Sequence, residues 1–377
     1  TEYQQASDLF SRLGDIYRGQ FSQGEKAAQY YARTLVLNPA EENARSGLRT
    51  LVADFPDGLE TAVQALAKAY AATGDWQQIL DVLEPRLTVA DDDSARARLL
   101  TDAAVVQERK GKDPRAAFSS IARAISLEPT DENLESELLR LAEQTDAWDE
   151  TAEVLGKVAS ACEDMPLRAV RLRSKEGSIR ETRLGDLQGA LAAYSAVIAM
   201  NPQHGDALQG LIRVAAQAGS WETAVAFALR STVTRDHVEP EVFGILESIA
   251  ENTSSWDALT GEMGKALAGA EISHLDLARD LETMVALWHR DKRQDLESAE
   301  VAARRAAGYG KSHLDTQKLL ASLQRQAPSI AFIETLKNVH ALESGNLDPL
   351  REAAEVALNI AEDYETKRAA VLGLYYR

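Results

Sequence analysis

One phrase recurs along this chain: a short turn, a helix of small and apolar residues, and a proline after the helix. Residues 182–202 read TRLGDLQGALAAYSAVIAMNP, and two earlier segments, SQGEKAAQYYARTLVLNP at 22–39 and KDPRAAFSSIARAISLEP at 112–129, follow the same order. Self-similarity at a fixed period is the signature of repeat architectures. Such a chain is expected to fold as a stack of similar layers, because one helix pair cannot bury its own apolar faces.

The first residues of the similar helices can be aligned along the whole chain, and we call them the frame positions. Nine frame positions can be aligned: Gly24, Trp76, Pro114, Trp148, Leu187, Trp221, Trp256, Leu296 and Leu347. Six of their eight successive spacings lie between 34 and 40 residues, whereas the first is 52 and the last is 51. We therefore predict one surplus helix in each long spacing, with a local reversal of which helix faces the concave side. In the first long spacing the helices are predicted at 42–54 and 58–73.

The apolar pattern predicts an all-α fold. Apolar residues recur three and four positions apart almost everywhere, and no segment alternates as a strand does. Breaks carrying Gly, Pro, Asp or Ser separate roughly twenty segments of about 13–18 residues. Four tryptophans, at 76, 148, 221 and 256, occupy matching frame positions. We interpret them as hydrophobic anchors of the layers, with ligand stacking as the alternative.

A helix–turn–helix period of about 34 residues is typical of tetratricopeptide repeats, and the chain resembles that family. The residues that carry the resemblance best are Leu184, Gly185 and Asp186 at the inter-helix turn, Ala190 and Tyr194 on the second helix, and Pro202 after it. The resemblance implies a right-handed superhelical solenoid of antiparallel helix pairs, with first helices lining a concave groove. It also implies a single array over residues 1–377.

The charge balance limits the classes of partner. The chain has 41 Lys and Arg residues against 59 Asp and Glu residues, a net charge of −18. We expect no nucleic-acid partner and no attraction to anionic membranes. Membrane insertion is not expected either, because no apolar run approaches the ~18 residues of a span.

The cysteine count indicates the redox compartment of the protein, and the two ends of the chain indicate whether it is a fragment. Cys162 is the only cysteine, which excludes an intramolecular disulfide and suits a reducing, cytoplasmic location. The chain starts at Thr1 rather than at methionine, and it ends in the helix-like segment YETKRAAVLGLYYR at 364–377. We expect it to be a fragment of a longer protein.

Signals for catalysis are weak. The Gly-Lys-Ser of GYGKSH at 308–313 lacks the glycine that a phosphate-binding loop has five residues before Gly310, and a helix precedes it instead of a strand. We interpret it as a broken helix end. The six histidines lack metal-site spacing, and the run DDD at 91–93 fits a helix cap better than a cation site. We predict no catalytic residue, cofactor or metal.

One segment departs from the acidic character of the chain. LRAVRLRSKEGSIRETR at 167–183 carries six Arg and Lys residues, of which Arg168, Arg171 and Lys175 share one helical face. By the frame this is a first helix, and the resemblance implies that basic residues in the groove clamp a peptide carboxylate. These three are candidate partner-binding residues, and if they form a ligand patch, their side chains should face the groove and stay largely unpaired. The alternative is internal neutralisation by acidic residues of the preceding first helix, namely Glu132, Glu135 and Glu137.

These observations favour a non-enzymatic protein–protein interaction scaffold that binds a peptide or a partner protein in its concave groove. The alternative is the recruiting or regulatory repeat module of a larger enzyme, whose catalytic domain lies elsewhere in the protein. RNA binding is disfavoured by the charge of −18.

Overall fold

The computed structural model describes residues 2–54, 60–162, 164–235, 237–269 and 274–360. Across these ranges the chain forms 21 α-helices and one π-helical turn, without a β-strand. The all-α prediction is therefore confirmed. The segment at 364–377, which we expected to be helical, lies outside the described residues.

The chain divides into two compact units, Thr1–Asp186 and Leu187–Arg377. The helices of the first unit are α1 (Glu2–Gly19), α2 (Gly24–Leu37), α3 (Glu42–Asp54), α4 (Glu60–Thr73), α5 (Trp76–Asp81), α6 (Leu83–Thr88), α7 (Asp93–Arg109), α8 (Pro114–Leu127), α9 (Glu132–Thr145), α10 (Trp148–Ala161) and α11 (Pro166–Ile179), which the π turn Arg180–Leu184 follows. The helices of the second unit are α12 (Leu187–Met200), α13 (Gly205–Gln217), α14 (Trp221–Arg235), α15 (Pro240–Thr253), α16 (Trp256–Gly269), α17 (Leu275–Asp291), α18 (Leu296–Tyr309), α19 (Leu314–Gln324), α20 (Ile330–Leu342) and α21 (Asp348–Ile360). A single array over residues 1–377 stays a prediction.

The repeat frame read from the sequence coincides with the backbone. Eight of the nine frame positions are the first residue of a helix, and the ninth, Leu347, directly precedes α21. In the described ranges, every residue with positive φ lies two positions before a frame residue: Ser22, Gly74, Lys112, Asp146, Gly185, Gly219, Ser254 and Gln294. A left-handed residue ends a helix by turning the chain out of its axis. One backbone conformation thus separates the two helices of each layer.

The two long frame spacings hold the surplus helices that we predicted. Helices α3 and α4 lie between Gly24 and Trp76, and α19 and α20 lie between Leu296 and Leu347. The other spacings hold one further α-helix each, except the one from Trp76 to Pro114, where the short α6 continues α5 before α7. The helix predicted at 58–73 is α4, which begins at Glu60 in the described part of the chain. The reversal of helix facing stays a prediction.

The helix that follows Trp76 is broken. Helix α5 ends at Asp81 and α6 begins at Leu83, with Val82 between them. Pro85 has no backbone N–H to donate to the carbonyl four residues earlier, at Asp81, and its ring crowds that carbonyl. The proline therefore accounts for the break.

In the first unit, a buried tyrosine ring packs against two glycines of neighbouring helices. We call each such position a glycine notch, because a Cβ atom there would collide with the ring. Tyr31 of α2 is fully buried, and its hydroxyl donates to Asp15 Oδ1 of α1 at 2.7 Å. A Cβ added at Gly14 of α1 would lie 2.4 Å from the Tyr31 ring, and one added at Gly47 of α3 would lie 2.5 Å from it. The ring is thus held between α1 and α3, and only glycine leaves room for it.

The second unit repeats half of this arrangement. Tyr194 of α12 is buried, and a Cβ added at Gly210 of α13 would lie 2.6 Å from its Cζ. We predict that Gly210→Ala destabilises the second unit by about 1–3 kcal/mol, because an extra methyl must displace a packed ring. Urea denaturation followed by circular dichroism measures this loss.

The matched control for Gly210→Ala is Gly261→Ala in α16, where no atom lies within 4 Å of the added Cβ. Alanine at such a helical position stabilises by about 0.4–1 kcal/mol. If the two substitutions changed the free energy of unfolding equally, the close packing of the Tyr194 ring against Gly210 would be disproved.

Candidate functional site

The basic segment forms α11, and its three predicted residues lie on one side of that helix. Pro166 occupies the first turn of α11, a position where its missing N–H has no helical partner to lose. Arg168, Arg171 and Lys175 follow at helical spacing, and their side chains reach carboxylates of α9. We call Arg168, Arg171, Lys175, Glu132 and Glu135 the α11 cluster.

The centre of the α11 cluster is the carboxylate of Glu135, whose side chain is only 1% exposed. Arg168 and Lys175 both form ion pairs with it, and Arg171 Nη2 lies 3.6 Å from its Oε1. Burial alone raises the pKa of Glu135, but the hydrogen bond from Lys175 and the three positive charges outweigh burial and hold that pKa below its usual value. Glu135 is therefore an ionised, buried anchor for α11.

The three cations of the cluster differ in accessibility. The Arg168 side chain is only 10% exposed, and its Nε donates to the Pro129 carbonyl at 2.9 Å. Arg171 is 43% exposed and pairs with Glu132 at the rim, and Lys175 is 36% exposed. Three positive charges meet two carboxylates, so the cluster keeps one excess positive charge, and Arg171 and Lys175 are its accessible cations.

The structure pairs these cations, as the reading of internal neutralisation required and the reading of an unpaired patch did not. Glu132 and Glu135 pair with all three cations, as the alternative predicted, although two carboxylates balance only two of the three charges. Glu137 does not take part, because it pairs with Arg140 of its own helix at 2.9 Å. The role of Arg168, Arg171 and Lys175 in binding a partner stays a prediction.

The remaining basic residues of the segment are paired as well. Glu176 of α11, itself buried, accepts from Arg173 at 2.6 Å and from Arg180 at 3.1 Å. A Cβ added at Gly156 of α10 would lie 2.9 Å from Glu176 Oε1, so the glycine at this position makes room for the carboxylate. Sequence reasoning missed this second buried glutamate, because nothing in its spacing separates it from the exposed acids around it.

Two of the tryptophans at the frame positions pack in a core, and two contact basic side chains. Trp221 is buried, and Trp148 packs against the core of the first unit. The Arg183 guanidinium lies 4.5 Å from the centre of the Trp148 ring, and Lys292 Nζ lies 5.2 Å from that of Trp256. These contacts are cation–π interactions. Ligand stacking was the alternative role for these tryptophans. The rings of Trp148 and Trp256 each already contact a basic side chain.

The other residues considered from the sequence have structural roles. Asp92 caps α7 by accepting from the Ala95 amide at 2.6 Å, and α18 ends at Tyr309 with Gly310 after it. Cys162 is buried in the core, and burial raises the pKa of its thiol although Arg168 opposes that shift.

Two general searches of the described residues complete the description. They contain no group of three or more His, Cys, Asp or Glu side chains arranged to hold a metal ion. Of the helices in the described ranges, none combines the length and the apolarity needed to cross a bilayer.

Comparison with known proteins agrees with the repeat frame. Residues 182–242 match the family model for the tetratricopeptide repeat. This segment includes the unit around Gly185, Tyr194 and Pro202 on which the resemblance rests, so the resemblance to tetratricopeptide repeats is confirmed. A comparison with curated protein sequences gave no match.

Several solved structures are similar to this chain at low identity. One is Naa15/Naa10 bound to HypK-THB, at 13% identity and a TM-score of 0.27, covering 98% of this chain and 68% of that one. A second is the TPR domain of P58(IPK), at 12% identity and a TM-score of 0.24, covering 93% and 97%. A third is a tetratricopeptide repeat protein from Parabacteroides merdae, at 12% identity and a TM-score of 0.29, covering 70% and 97%.

Proposed function

We propose that this chain is a non-enzymatic protein–protein interaction scaffold, and that the α11 cluster is one of its contact sites for a partner peptide. The observation that carries the proposal is that the cluster has one more cation than carboxylates and that two of its cations, Arg171 and Lys175, are accessible, within a chain of net charge −18. A peptide carboxylate docking there would complete the pairing of Arg171 and Lys175, since Lys175 shares the Glu135 carboxylate with Arg168 and Arg171.

The pairing within α9 and α11 makes this contact site pre-organised. Arg168 and Glu135 hold the cluster together from its buried side, and the two accessible cations are therefore fixed in place before a partner arrives. Fixed groups lose less conformational entropy on binding than free ones do. A concave groove lined by first helices is the binding surface that the tetratricopeptide resemblance suggests.

The test is the substitution Arg171→Gln, with binding measured by fluorescence anisotropy. The probe is a fluorescein-labelled ten-residue peptide of alternating Leu and Glu with a free C-terminal carboxylate. We expect Arg171→Gln to weaken binding by about tenfold or more, the typical value of a hydrogen bond between charged groups. Added salt should weaken wild-type binding, because partly exposed charges are screened.

The matched control is Arg140→Gln. Arg140 is 45% exposed and pairs with Glu108 of α7 and with Glu137, so it resembles Arg171 in exposure and pairing but lies outside the cluster. It should leave peptide affinity unchanged. Unaltered affinity in Arg171→Gln, or an equal loss in both variants, would overturn the proposed contact site.

A further inference from the structure

A buried glutamate of the second unit has few partners for its charge. Glu282 lies on α17, and only 4% of its side chain is exposed. Arg305 Nε of α18 lies 3.3 Å from Glu282 Oε1, which is the one ion pair that Glu282 forms within the described residues. Its Oε2 atom is buried, and no described residue donates a hydrogen bond to it. One oxygen of this carboxylate thus has no protein partner.

The contrast with Glu135 shows what the missing partners change. Both side chains are almost completely buried. Glu135 contacts all three cations of the α11 cluster, and these keep it ionised. Glu282 has only Arg305, whose side chain is 41% exposed, so water weakens the attraction between them. A buried carboxylate without sufficient compensation becomes neutral by binding a proton.

The proton affinities of the two buried glutamates differ in the same way. Burial raises the pKa of Glu282, and the charge of Arg305 opposes that shift without cancelling it. The pKa of Glu135 is lowered instead, because its cations outweigh burial. The partners of each carboxylate therefore account for the opposite directions.

The other charged residues around α17 have partners of their own. On α17 itself, Arg279 pairs with Asp276 and Asp280. Acids of α15, α16 and α18 pair in the same way: Glu247 with Trp288, Glu251 with Lys292, Asp257 with Arg293, Glu262 with Lys265, and Glu300 with Arg304. Glu241 and Glu297 are exposed in the first turns of α15 and α18. His289 is the second buried titratable group of α17, and burial and the charge of Arg293 lower its pKa.

We propose that Glu282 is a proton-dependent switch within the second unit. On mild acidification its carboxylate takes up one proton from solvent, and a neutral carboxylic acid replaces the ion pair with Arg305. The Arg305 side chain, already partly exposed, is then free to turn to solvent. The packing of α17 against α18 gains stability, because no uncompensated charge stays buried. This switch is separate from the α11 cluster and does not depend on its function.

The uptake of this proton stabilises the folded unit. A carboxyl group whose pKa is higher in the folded state than in the unfolded state binds its proton more tightly when folded. The stabilisation therefore grows as pH falls through the folded pKa, and it levels off below the ordinary pKa of 4.5. One such proton changes the unfolding equilibrium constant by at most about tenfold per pH unit.

The experiment compares the whole wild-type chain with Glu282→Gln, whose side chain is neutral at every pH. Hydrogen exchange of α17 and α18, corrected for the intrinsic exchange rate, measures their protection between about pH 7 and pH 4.5. We expect the protection of wild type relative to Glu282→Gln to rise as pH falls, by up to about tenfold per pH unit. The ratio cancels the opposing effect of His289. A ratio that is constant or that falls on acidification would overturn the proposal.

A second variant tests the partner of the switch. Arg305→Gln removes the one cation paired with Glu282, so proton uptake should begin at a higher pH than in wild type. The matched control is Arg304→Gln, which removes the neighbouring exposed base of α18, paired with Glu300. Each variant is compared with its own Glu282→Gln double variant. The control should keep the wild-type pH profile, and an unshifted profile in Arg305→Gln would contradict the switch.

Discussion

Replacing Tyr31 with alanine is expected to lower the free energy of unfolding of the first unit by about 3–5 kcal/mol, the usual loss for a large buried aromatic residue. The loss should be at the upper end, because the notches at Gly14 and Gly47 contain no side chain that could move into the space. The hydrogen bond to Asp15 disappears as well. Urea denaturation followed by far-ultraviolet circular dichroism measures the effect.

The matched control is Tyr31→Phe, which keeps the ring and removes only the hydroxyl that bonds to Asp15. It should cost about 0.5–1.5 kcal/mol, the net value of a typical hydrogen bond. If alanine destabilised no more than phenylalanine does, the interlocking of α1, α2 and α3 through this ring would be disproved.

Glu135→Ala is the second substitution with a large expected effect. Removing this buried carboxylate leaves Arg168 buried without its counter-charge, and breaking a buried ion pair from one side costs about 3–5 kcal/mol. Glu132→Ala serves as the control, because Glu132 is 66% exposed and surface ion pairs contribute about 0–1 kcal/mol. Equal losses in the two variants would show that Glu135 does not anchor α11.

The pH dependence of this loss has a definite sign. The pKa of Glu135 is lower in the folded protein than its usual value of 4.5. Its stabilisation is therefore fully present above the unfolded pKa and is lost as pH falls through the folded pKa. The difference in unfolding free energy between wild type and Glu135→Ala should be constant from pH 6 to 7 and should shrink below about pH 4. A difference that grows on acidification would contradict the ionised anchor.

The fold was predictable where local chemistry determines it. Helix starts follow from the recurring phrase, so the frame from Gly24 to Leu296 matched the first residue of eight helices. The two surplus helices followed from spacing alone. The pattern of apolar and polar residues could not reveal which glycines contact an aromatic ring, because Gly14 and Gly47 approach Tyr31 only after the layers have stacked.

The candidate site was predictable in part. Helical spacing correctly grouped Arg168, Arg171 and Lys175, but it could not show that their partners lie about one repeat earlier. The helical spacing also excluded Glu137 from the cluster, and our prediction missed this. Glu137 follows Glu135 by two residues, which is about 200° around a helix, so the two side chains cannot lie on one face.

The left-handed turn residues have a consequence for how the repeats diverge during evolution. Five of the eight are Ser, Lys, Asp or Gln rather than glycine, yet each occupies the same backbone conformation at the same place in its layer. Both turns within the matched segment 182–242, at Gly185 and Gly219, do carry glycine. Selection on such a chain acts on the torsion angle and tolerates several residues that reach it. Amino-acid identity can then drift from layer to layer while the architecture is inherited unchanged.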